Sequence, residues 1–446
     1  MEDHSALAAY PKSRAAWYAV AVLTVCYTFS FVDRLILAFL VTPMKHDLHL
    51  SDTQIGLLQG AAFAVLYSVL GIPFGLAADR TSRRNLIAAG VLFWSLMTSC
   101  GSLARTFWTL ALTRVGVGVG EATLSPAAFS LIADSFPRER LSSALSIYSM
   151  GVQVGAGLAL ILGGLVVQIV THMAPVALPW VGTVPAWRLT FLIVGAPGIL
   201  LVALLTTLIE PARRLRPLGE VGTPPRAGLK NAFGQLRTRW RSAIGISVLM
   251  ACQAMSNYAF GSWSPAFLER LYHWPKGQIG LLLGGLTIGC GCIGLICGGR
   301  LSDHWLRSGM PEAPLRVAFL SLLGAACTMI PALSVHSAML TVVLLVPGLF
   351  FLSLPIGCLY ASVQMIFSNE VRGTVSAIVL LVVSLGGVSL GSLLPGLLDD
   401  RFFHSDLMLG RSMAITLGCA CLTGIVAAVL TYGPYRRDFQ ALRTNA

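Results

Sequence analysis

Four charged residues lie inside stretches of otherwise apolar sequence. Asp33 and Arg34 interrupt the first such stretch, and Arg114 and Glu121 interrupt the fourth. A charge at the centre of a membrane helix costs roughly 2.5–3.5 kcal/mol on insertion scales, so such residues usually have a function. We therefore take these four as the first candidates for binding a charged solute or carrying a proton.

Their spacing predicts how they are arranged. Arg114 and Glu121 are nearly two helical turns apart, so they project from one face of a helix, about 10 Å apart along its axis. Asp33 and Arg114 each lie about 10–12 Å below the outer ends of their helices, so we expect them to pair across the first and fourth helices. Glu121 is expected one to two turns nearer the cytoplasm. Arg34 points about 100° away from Asp33 around the helix, and we expect it to face the fifth helix or the cavity edge, or to snorkel.

This arrangement suggests how protons and an anion could be coupled. A carboxyl group in a low-dielectric cavity favours its neutral form unless a cation offsets the burial, so Glu121 is predicted to load and release a proton. Arg114 stays charged, and its planar fork suits a phosphate or carboxylate. An anionic substrate would compete with Asp33 for Arg114, which links binding to protonation. The alternative is a static network that only orients two helices.

Other polar and aromatic side chains in the apolar stretches are weaker candidates for solute contact, because each is also an ordinary interhelical hydrogen bonder or packing residue. Besides Arg34, they are Tyr148, Gln153, Asn257, Tyr258, Phe260, Tyr360 and Gln364. A cavity that is charged on one side and apolar and aromatic on the other would suit an amphiphile with an anionic head.

The elements that hold these residues are predicted to be membrane helices. The chain has 446 residues, of which 55% are hydrophobic and 11% charged, whereas a soluble domain is about 25% charged. A helix needs about 20 apolar residues to cross a membrane. The predicted spans are 15–41, 53–78, 85–104, 107–133, 139–168, 187–209, 243–270, 276–302, 313–334, 337–367, 372–398 and 409–432. We therefore expect an all-α polytopic membrane protein with twelve transmembrane helices.

The long polar connection at 210–242 predicts a division into two six-helix bundles. It is rich in Pro, Gly and Arg and is predicted to be a cytoplasmic linker between an N-terminal bundle, 1–209, and a C-terminal bundle with a cytoplasmic tail, 243–446. Its last part, 229–241, is predicted to be an amphipathic helix on the membrane surface.

The formal net charge of +12 follows from the predicted topology. Most Lys and Arg residues fall in connections that place both termini in the cytoplasm, so the charge needs no nucleic-acid partner. We expect a multi-pass protein of a bacterial-type inner (plasma) membrane, without a signal peptide. The ten cysteines all lie within apolar runs and are expected to pack as reduced small residues. No metal and no cofactor are expected.

A short pattern occurs in both predicted halves, at the ends of the second and eighth spans. GLAADRTSRR and GRLSDHWLR share the spacing Gly, Asp, Arg, and FPRERLSSA is echoed by SNEVRGTVSA after the fourth and tenth spans. The corresponding residues are Gly75, Asp79 and Arg83 with Gly299, Asp303 and Arg307, and Arg140 with Arg372. Their equivalent positions indicate a duplication, which makes the two bundles pseudosymmetric.

These residues carry a resemblance to a known family. The G-x-x-x-D-R-x-x-R-R loop resembles motif A of the major facilitator superfamily, with Ser82 where that motif has glycine. The strings FVDR, DLHLSDTQIGLLQGAAFAVLYSVLGIPFGLAADR and RVGVGVGEATLSPAAFSLIADSFPRERLSSALSIYSMG resemble the Spinster family of lipid transporters. The resemblance implies two six-helix bundles around a central cavity and proton-coupled movement of sphingosine phosphate or lysophospholipid. The glycines of VGVGVG are predicted to allow close helix approach.

The motif A residues are also candidates for a cytoplasmic gate. Asp79 can interact with the positive N-terminus of the eleventh helix and with Arg372 when the cytoplasmic side is closed, and Asp303 and Arg140 would make the pseudosymmetric contact. Gly75 and Arg83 belong to the same predicted gate, although the arginines of this loop can also serve only to set topology.

The sequence thus favours a secondary active, proton-coupled transporter of an anionic amphiphile, working by alternating access. The alternative within transport is a carrier of small organic anions or drugs. A membrane-embedded enzyme is disfavoured, because candidate nucleophiles and metal ligands do not cluster, while a receptor or structural membrane protein stays open. The expected partners are a small-molecule or lipid substrate, protons and membrane lipids, with the protein itself a monomer.

Overall fold

The apolar runs of the sequence form helices, because in lipid every backbone N–H and C=O group must be bonded within the protein. A computed structural model describes residues 11–171, 173, 176–178, 182–211, 234–367 and 371–444. Twelve helices in these ranges are long and apolar enough to cross a membrane, as predicted. Spans 1 to 12 are, in order, Ser13–Phe39, Asp52–Ala78, Arg83–Leu103, Phe107–Ser135, Ile147–Val170, Ala186–Thr206, Trp240–Tyr272, Lys276–Arg307, Ala313–Ser334, Ala338–Ile366, Val375–Phe403 and Asp406–Ala441.

Several spans are interrupted helices. Span 2 consists of Asp52–Gln59 and Ala61–Arg80, span 4 of Phe107–Glu121 and Leu124–Ser135, span 6 of Ala186–Gly195 and Pro197–Thr206, and span 10 of Ala338–Ser353 and Ile356–Ile366. Span 11 comprises Arg372–Val382 and Ser389–Leu398, each followed by a π-helical turn, Val383–Val388 and Asp399–Phe403. The apolar pattern of the sequence does not predict these π turns.

The remaining helices are continuous. They are Ser13–Phe39, Val41–Leu48, Arg83–Cys100 with the 3-10 turn Gly101–Leu103, Arg138–Thr171, Trp240–Tyr272, Lys276–Arg307, Ala313–Ser334, and Leu409–Thr444 after the 3-10 turn Asp406–Met408. Two short antiparallel strands, β1 (Val176–Leu178) and β2 (Gly182–Val184), connect spans 5 and 6, with Val176 opposite Val184.

Packing divides the chain into two compact units. Unit 1 is Met1–Arg34, Leu66–Ala159 and Ile169–Thr223, and unit 2 is Leu35–Val65, Leu160–Gln168 and Pro224–Ala446. Unit 2 therefore contains the second half of the chain together with the ends of spans 1, 2 and 5. Two bundles with boundaries at 209 and 243 stay a prediction, and most of the predicted linker, 212–233, lies outside the described residues. Of the predicted surface helix, residues 234–238 are helical, and residues 240 and 241 belong to the helix Trp240–Tyr272.

Glycines bring spans 3 and 4 into close contact inside unit 1. A Cβ atom on Gly120 would lie 2.8 Å from the carbonyl oxygen of Gly90, and one on Gly116 would lie 2.5 Å from Cγ of Met97. These distances confirm the predicted close approach in the VGVGVG segment. The contact fixes the position of span 4, which carries Arg114 and Glu121.

Candidate substrate and proton site

Spans 1 and 4 place the four predicted charges within unit 1. Asp33, Arg114 and Glu121 are at most 3% exposed, and the Arg34 side chain is 12% exposed. Arg114 lies within the helix that ends at Glu121, where the chain turns before Leu124. This burial agrees with the prediction from sequence. A charged side chain that faced the lipid would have a large free-energy cost.

The closest ion pair of this group joins Arg34 to Glu121. Arg34 Nη2 lies 2.5 Å and Arg34 Nε 2.6 Å from Glu121 Oε2. Two nitrogens of the guanidinium therefore contact the same carboxylate oxygen. The pair places the Arg34 side chain against span 4 instead of snorkelling, and its expected position facing the fifth helix or the cavity edge stays a prediction. Helical phase gives the direction of Cβ, but the long Arg34 side chain reaches back to span 4.

Arg114 contacts span 1 through the backbone. Its Nη1 donates to the carbonyl oxygen of Asp33 at 3.2 Å, and the structure has no ion pair within 4 Å between the two described side chains. The predicted contact between spans 1 and 4 at these residues is thus present, while the predicted carboxylate–guanidinium pairing is not. The carbonyl takes the place that the Asp33 carboxylate was expected to occupy.

Several buried polar atoms near this group make no hydrogen bond to any described residue. They are Asp33 Oδ1, Arg114 Nε, Glu121 Oε1 and Thr98 Oγ1. Burying a polar atom without a partner costs about 1–3 kcal/mol, so a protein rarely places several together without a functional reason. A proton on a carboxyl group, or an anionic oxygen at the guanidinium, would relieve this cost.

Aromatic side chains surround the charged group. The Arg34 guanidinium carbon lies 5.1 Å from the ring centre of Phe31 and 4.8 Å from that of Tyr67, within cation–π distance. Tyr148, one of the weaker candidates, is fully buried and stacks on Tyr27 at 4.9 Å between ring centres. These rings hold Arg34 in place and give this part of unit 1 an amphipathic lining. Gln153 is half-buried in the same unit.

The candidates from the second half of the chain all lie in unit 2. Asn257 Nδ2 donates to the carbonyl of Gln253 at 3.0 Å and to that of Leu352 in span 10 at 3.4 Å, as expected of an interhelical hydrogen bonder. Phe260 is buried. Tyr258 is half-buried, and Tyr360 and Gln364 are exposed. A direct role of these residues in solute contact stays a prediction.

Arg83 of motif A is a buried clamp inside unit 1. It is 1% exposed and forms ion pairs with Asp134 of span 4 and, at 3.2 Å between Nε and Oε1, with Glu210 after span 6. Burial opposes ionisation of Glu210, but hydrogen bonds from Ser82 Oγ and from Arg83 outweigh it and lower the pKa of that carboxyl group. Arg83 therefore does more than set topology, since it ties spans 3, 4 and 6 together.

The structure gives fewer contacts for the other gate candidates than for Arg83. Gly75 lies against span 4, where an added Cβ would be 3.8 Å from Cβ of Pro126. Arg140 and Asp303 are exposed, and they belong to different units. The side chains of Asp79 and Arg372 lie outside the described residues, so the proposed gate contacts stay predictions.

Comparison with known proteins agrees with this architecture. The sequence pattern of the Major Facilitator Superfamily matches residues 23–391. An MFS-type efflux pump of Mycolicibacterium smegmatis is 31% identical over 433 residues, 95% of this chain and 94% of that protein. A sphingosine-1-phosphate transporter of Xenopus tropicalis is 26% identical over 331 residues, 71% of this chain and 60% of that protein. The crystal structure of a bacterial homolog of the human lysosomal transporter Spinster, inward-facing and unoccupied, superposes with a TM-score of 0.81 and 27% identity, covering 97% of this chain and 99% of that one.

Proposed function

The chain belongs to the Major Facilitator Superfamily as a Spinster-like transporter, and from this premise we propose that it moves an anionic amphiphile, such as a lysophospholipid or sphingosine phosphate, coupled to protons. Membership of a transporter family sets aside the enzyme alternative. The observation that carries the proposal is the buried group of two carboxylates and two guanidiniums, Asp33, Arg34, Arg114 and Glu121, with several polar atoms that lack protein partners within the described ranges.

Glu121 is the proposed proton carrier. One of its oxygens is held by Arg34, whereas the other has no hydrogen bond to a described residue and is the natural position for a proton. When Arg34 is drawn to an anionic substrate, Glu121 loses its counter-ion in a low-dielectric setting, which favours proton uptake. Asp33, also buried, is the second proposed protonation site. Substrate binding and proton binding are thereby linked.

Arg114 and Arg34 are proposed to bind the anionic head group. Arg114 has a buried Nε without a partner among the described residues, and guanidinium forks bind phosphate and carboxylate oxygens in pairs. The aromatic rings of Phe31, Tyr67 and Tyr148 supply apolar contact for a chain or ring attached to that head.

The second candidate function is the transport of small organic anions or drugs. The specific observation in its favour is the similarity, across nearly the whole chain, to a mycobacterial MFS-type efflux pump. The same buried arginines would bind a small anion, and the same carboxylates would couple it to protons.

We further propose that the protein resides as a monomer in a bacterial-type inner membrane with both termini in the cytoplasm. The excess of Lys and Arg in the connections on that side supports this orientation. The gate of Gly75, Asp79, Arg83, Arg140, Asp303 and Arg372 would then open and close the cytoplasmic side during alternating access.

A transport assay tests the proposal. Purified protein in liposomes with an imposed pH gradient is supplied with labelled lysophospholipid, sphingosine phosphate or a small organic anion. Gradient-dependent movement of a lipid by wild type, lost in Arg114→Ala, supports the proposal. Arg105→Ala is the matched control, because Arg105 is exposed just before the same span. Movement of small anions but not of either lipid would favour the second candidate.

A further inference from the structure

A second group of charges lies in unit 2, whereas the residues of the proposed transport site belong to unit 1. This group, the Asp52 cluster, consists of Lys45, Asp52, Arg270, Asp399 and Asp406. Arg270 donates from Nη2 to Asp52 Oδ1 at 3.0 Å and from Nη1 to Asp52 Oδ2 at 3.1 Å. Lys45 Nζ lies 3.2 Å from Asp52 Oδ2 and 2.5 Å from Asp406 Oδ1. The cluster thus joins the start of span 2 to spans 7, 11 and 12.

The carboxylates of the cluster outnumber its cations. Oxygens of Asp52, Asp399 and Asp406 lie within 4.8 Å of one another, and adjacent Asp400 accepts hydrogen bonds from the backbone N–H groups of Asp52 and Thr53. Four carboxylates therefore face two cations, Lys45 and Arg270. Asp52 and Asp399 are only 1% and 3% exposed, so neighbouring groups of the protein must offset most of their negative charge.

Asp399 is the buried carboxylate of the cluster whose negative charge is least offset by cations and hydrogen-bond donors. Its Oδ1 accepts a hydrogen bond from Ser412 at 3.1 Å, but its Oδ2 accepts none from any described residue. The nearest cation to Oδ2 is Arg270 Nη1 at 3.7 Å, and that guanidinium is already engaged by Asp52. Two buried carboxylates thus share one arginine, an arrangement in which one of them tends to hold a proton.

The missing positive charge is better supplied by a proton than by a metal ion. Three carboxylates could ligate a divalent cation, but nitrogens of Lys45 and Arg270 already lie at 2.5–3.2 Å from oxygens of Asp52 and Asp406. A metal would have to displace both cations, whereas a proton fits on Asp399 Oδ2 without moving anything. A cavity of about 270 Å³, lined by Lys45, the four aspartates, His404 and Ser405, gives protons a route to the cluster.

The cluster lies where span 2 packs closely against span 11. A Cβ on Gly56 would be 2.5 Å from the carbonyl oxygen of Ser392, and one on Gly396 would be 2.2 Å from that of Asp52. Backbones this close cannot remain in contact when this end of the protein opens. Opening of this end between spans 2 and 11 would therefore separate Asp52 from Arg270 and Asp399.

We propose that this end of the transporter, when closed, binds a proton shared by Asp52 and Asp399, at a site distinct from Glu121. The closed state crowds the two carboxylates, whereas opening would expose them separately to water. The closed state then binds the proton more tightly, so low pH stabilises closure and rising pH promotes opening. With both termini in the cytoplasm, as proposed above, the pH that is sensed is that of the exterior.

The test measures opening directly. Spin labels are placed on His46 before span 2 and on Leu407 in the first turn of span 12, both exposed, in a variant without the ten native cysteines. Distances are measured in lipid nanodiscs from about pH 5 to about pH 8, where one proton changes the ratio of open to closed protein at most tenfold per pH unit. Wild type is expected to gain a longer-distance population as pH rises. Asp399→Asn, which keeps an acceptor for Ser412 but cannot ionise, is expected to stay closed at every pH.

Control variants separate this site from other titrating groups. His404→Gln and Asp47→Asn, an exposed carboxyl residue nearby, should respond to pH as wild type does. Asp399→Glu, which restores an ionisable group, should restore the response if Asp399→Asn is poorly folded. A full response in Asp399→Asn, its loss in His404→Gln, or a wild-type distance independent of pH would each overturn the proposal.

Discussion

At the scale of single residues, the ion pair of Arg34 with Glu121 offsets the cost of burying two charges among the apolar helices of unit 1. The pair is held by two contacts of 2.5 and 2.6 Å and by the rings of Phe31 and Tyr67 against the guanidinium. Each member of a buried pair is costly without the other. Replacing one member of the pair should therefore lower the free energy of unfolding more than replacing both.

A double-mutant cycle tests this dependence. Arg34→Leu leaves the Glu121 carboxylate buried without its cation and is expected to cost about 3–5 kcal/mol in the free energy of unfolding. The matched variant Arg34→Leu/Glu121→Leu should recover most of that loss. Thermal unfolding in detergent measures both. Equal destabilisation by the single and double variants would show that the pair is not coupled.

The four charged residues could be found from sequence, but their partners could not. A charge in an apolar span is conspicuous in the sequence, and helical spacing placed Arg114 and Glu121 on one face. Which carboxylate an arginine reaches depends on its rotamers, and the sequence does not specify them. The Asp52 cluster gave no signal for a similar reason, because Asp52, Arg270 and Asp399 lie at span ends, where charges are ordinary.

At the scale of helices, glycines determine how closely spans approach. In unit 2 a Cβ on Gly280 of span 8 would lie 2.5 Å from the carbonyl oxygen of Leu160 and 3.0 Å from Cα of Gly164 in span 5. Gly280→Ala must push these backbones apart and is expected to cost about 1–3 kcal/mol. Gly285→Ala is the control in the same span, since nothing lies within 4 Å of its added Cβ. Melting temperatures measure the difference, and equal effects would contradict this account.

The clamp formed by Arg83 and Glu210 predicts a pH dependence of stability. Burial opposes ionisation of Glu210, but hydrogen bonds from Ser82 and Arg83 give a folded-state pKa below the unfolded value of about 4.3. The clamp therefore stabilises the fold above that pH and loses this effect as pH falls through the folded pKa.

Melting temperatures recorded from about pH 6 down to about pH 3, the range in which an ordinary glutamate titrates, check this prediction. Wild type should lose more stability on acidification than Glu210→Gln does. Asp47→Asn, which alters an exposed carboxyl group, should follow wild type. A pH profile of Glu210→Gln that parallels wild type would show that the clamp does not depend on the charge of Glu210.

At the scale of the whole molecule, hydropathy alone predicted twelve spans, because backbone hydrogen bonding in lipid leaves few alternatives to long apolar helices. It did not predict the π turns of span 11 or the assignment of the ends of spans 1, 2 and 5 to unit 2. Those features depend on which helix surfaces are in contact in one conformation. A transporter with alternating access changes these contacts while its span pattern stays constant.

The proposed proton coupling belongs to this largest scale, because it would link Glu121 to movement of the whole protein. A gradient of one pH unit supplies about 1.4 kcal/mol per proton, or about tenfold accumulation of substrate. Glu121→Gln cannot exchange a proton, so it should lose gradient-driven accumulation in liposomes while still exchanging labelled for unlabelled substrate at equal pH. Glu269→Gln serves as a control carboxyl variant, since Glu269 pairs with Lys276 in unit 2. Wild-type accumulation by Glu121→Gln would remove this residue from the coupling mechanism and leave Asp33 as the proton site.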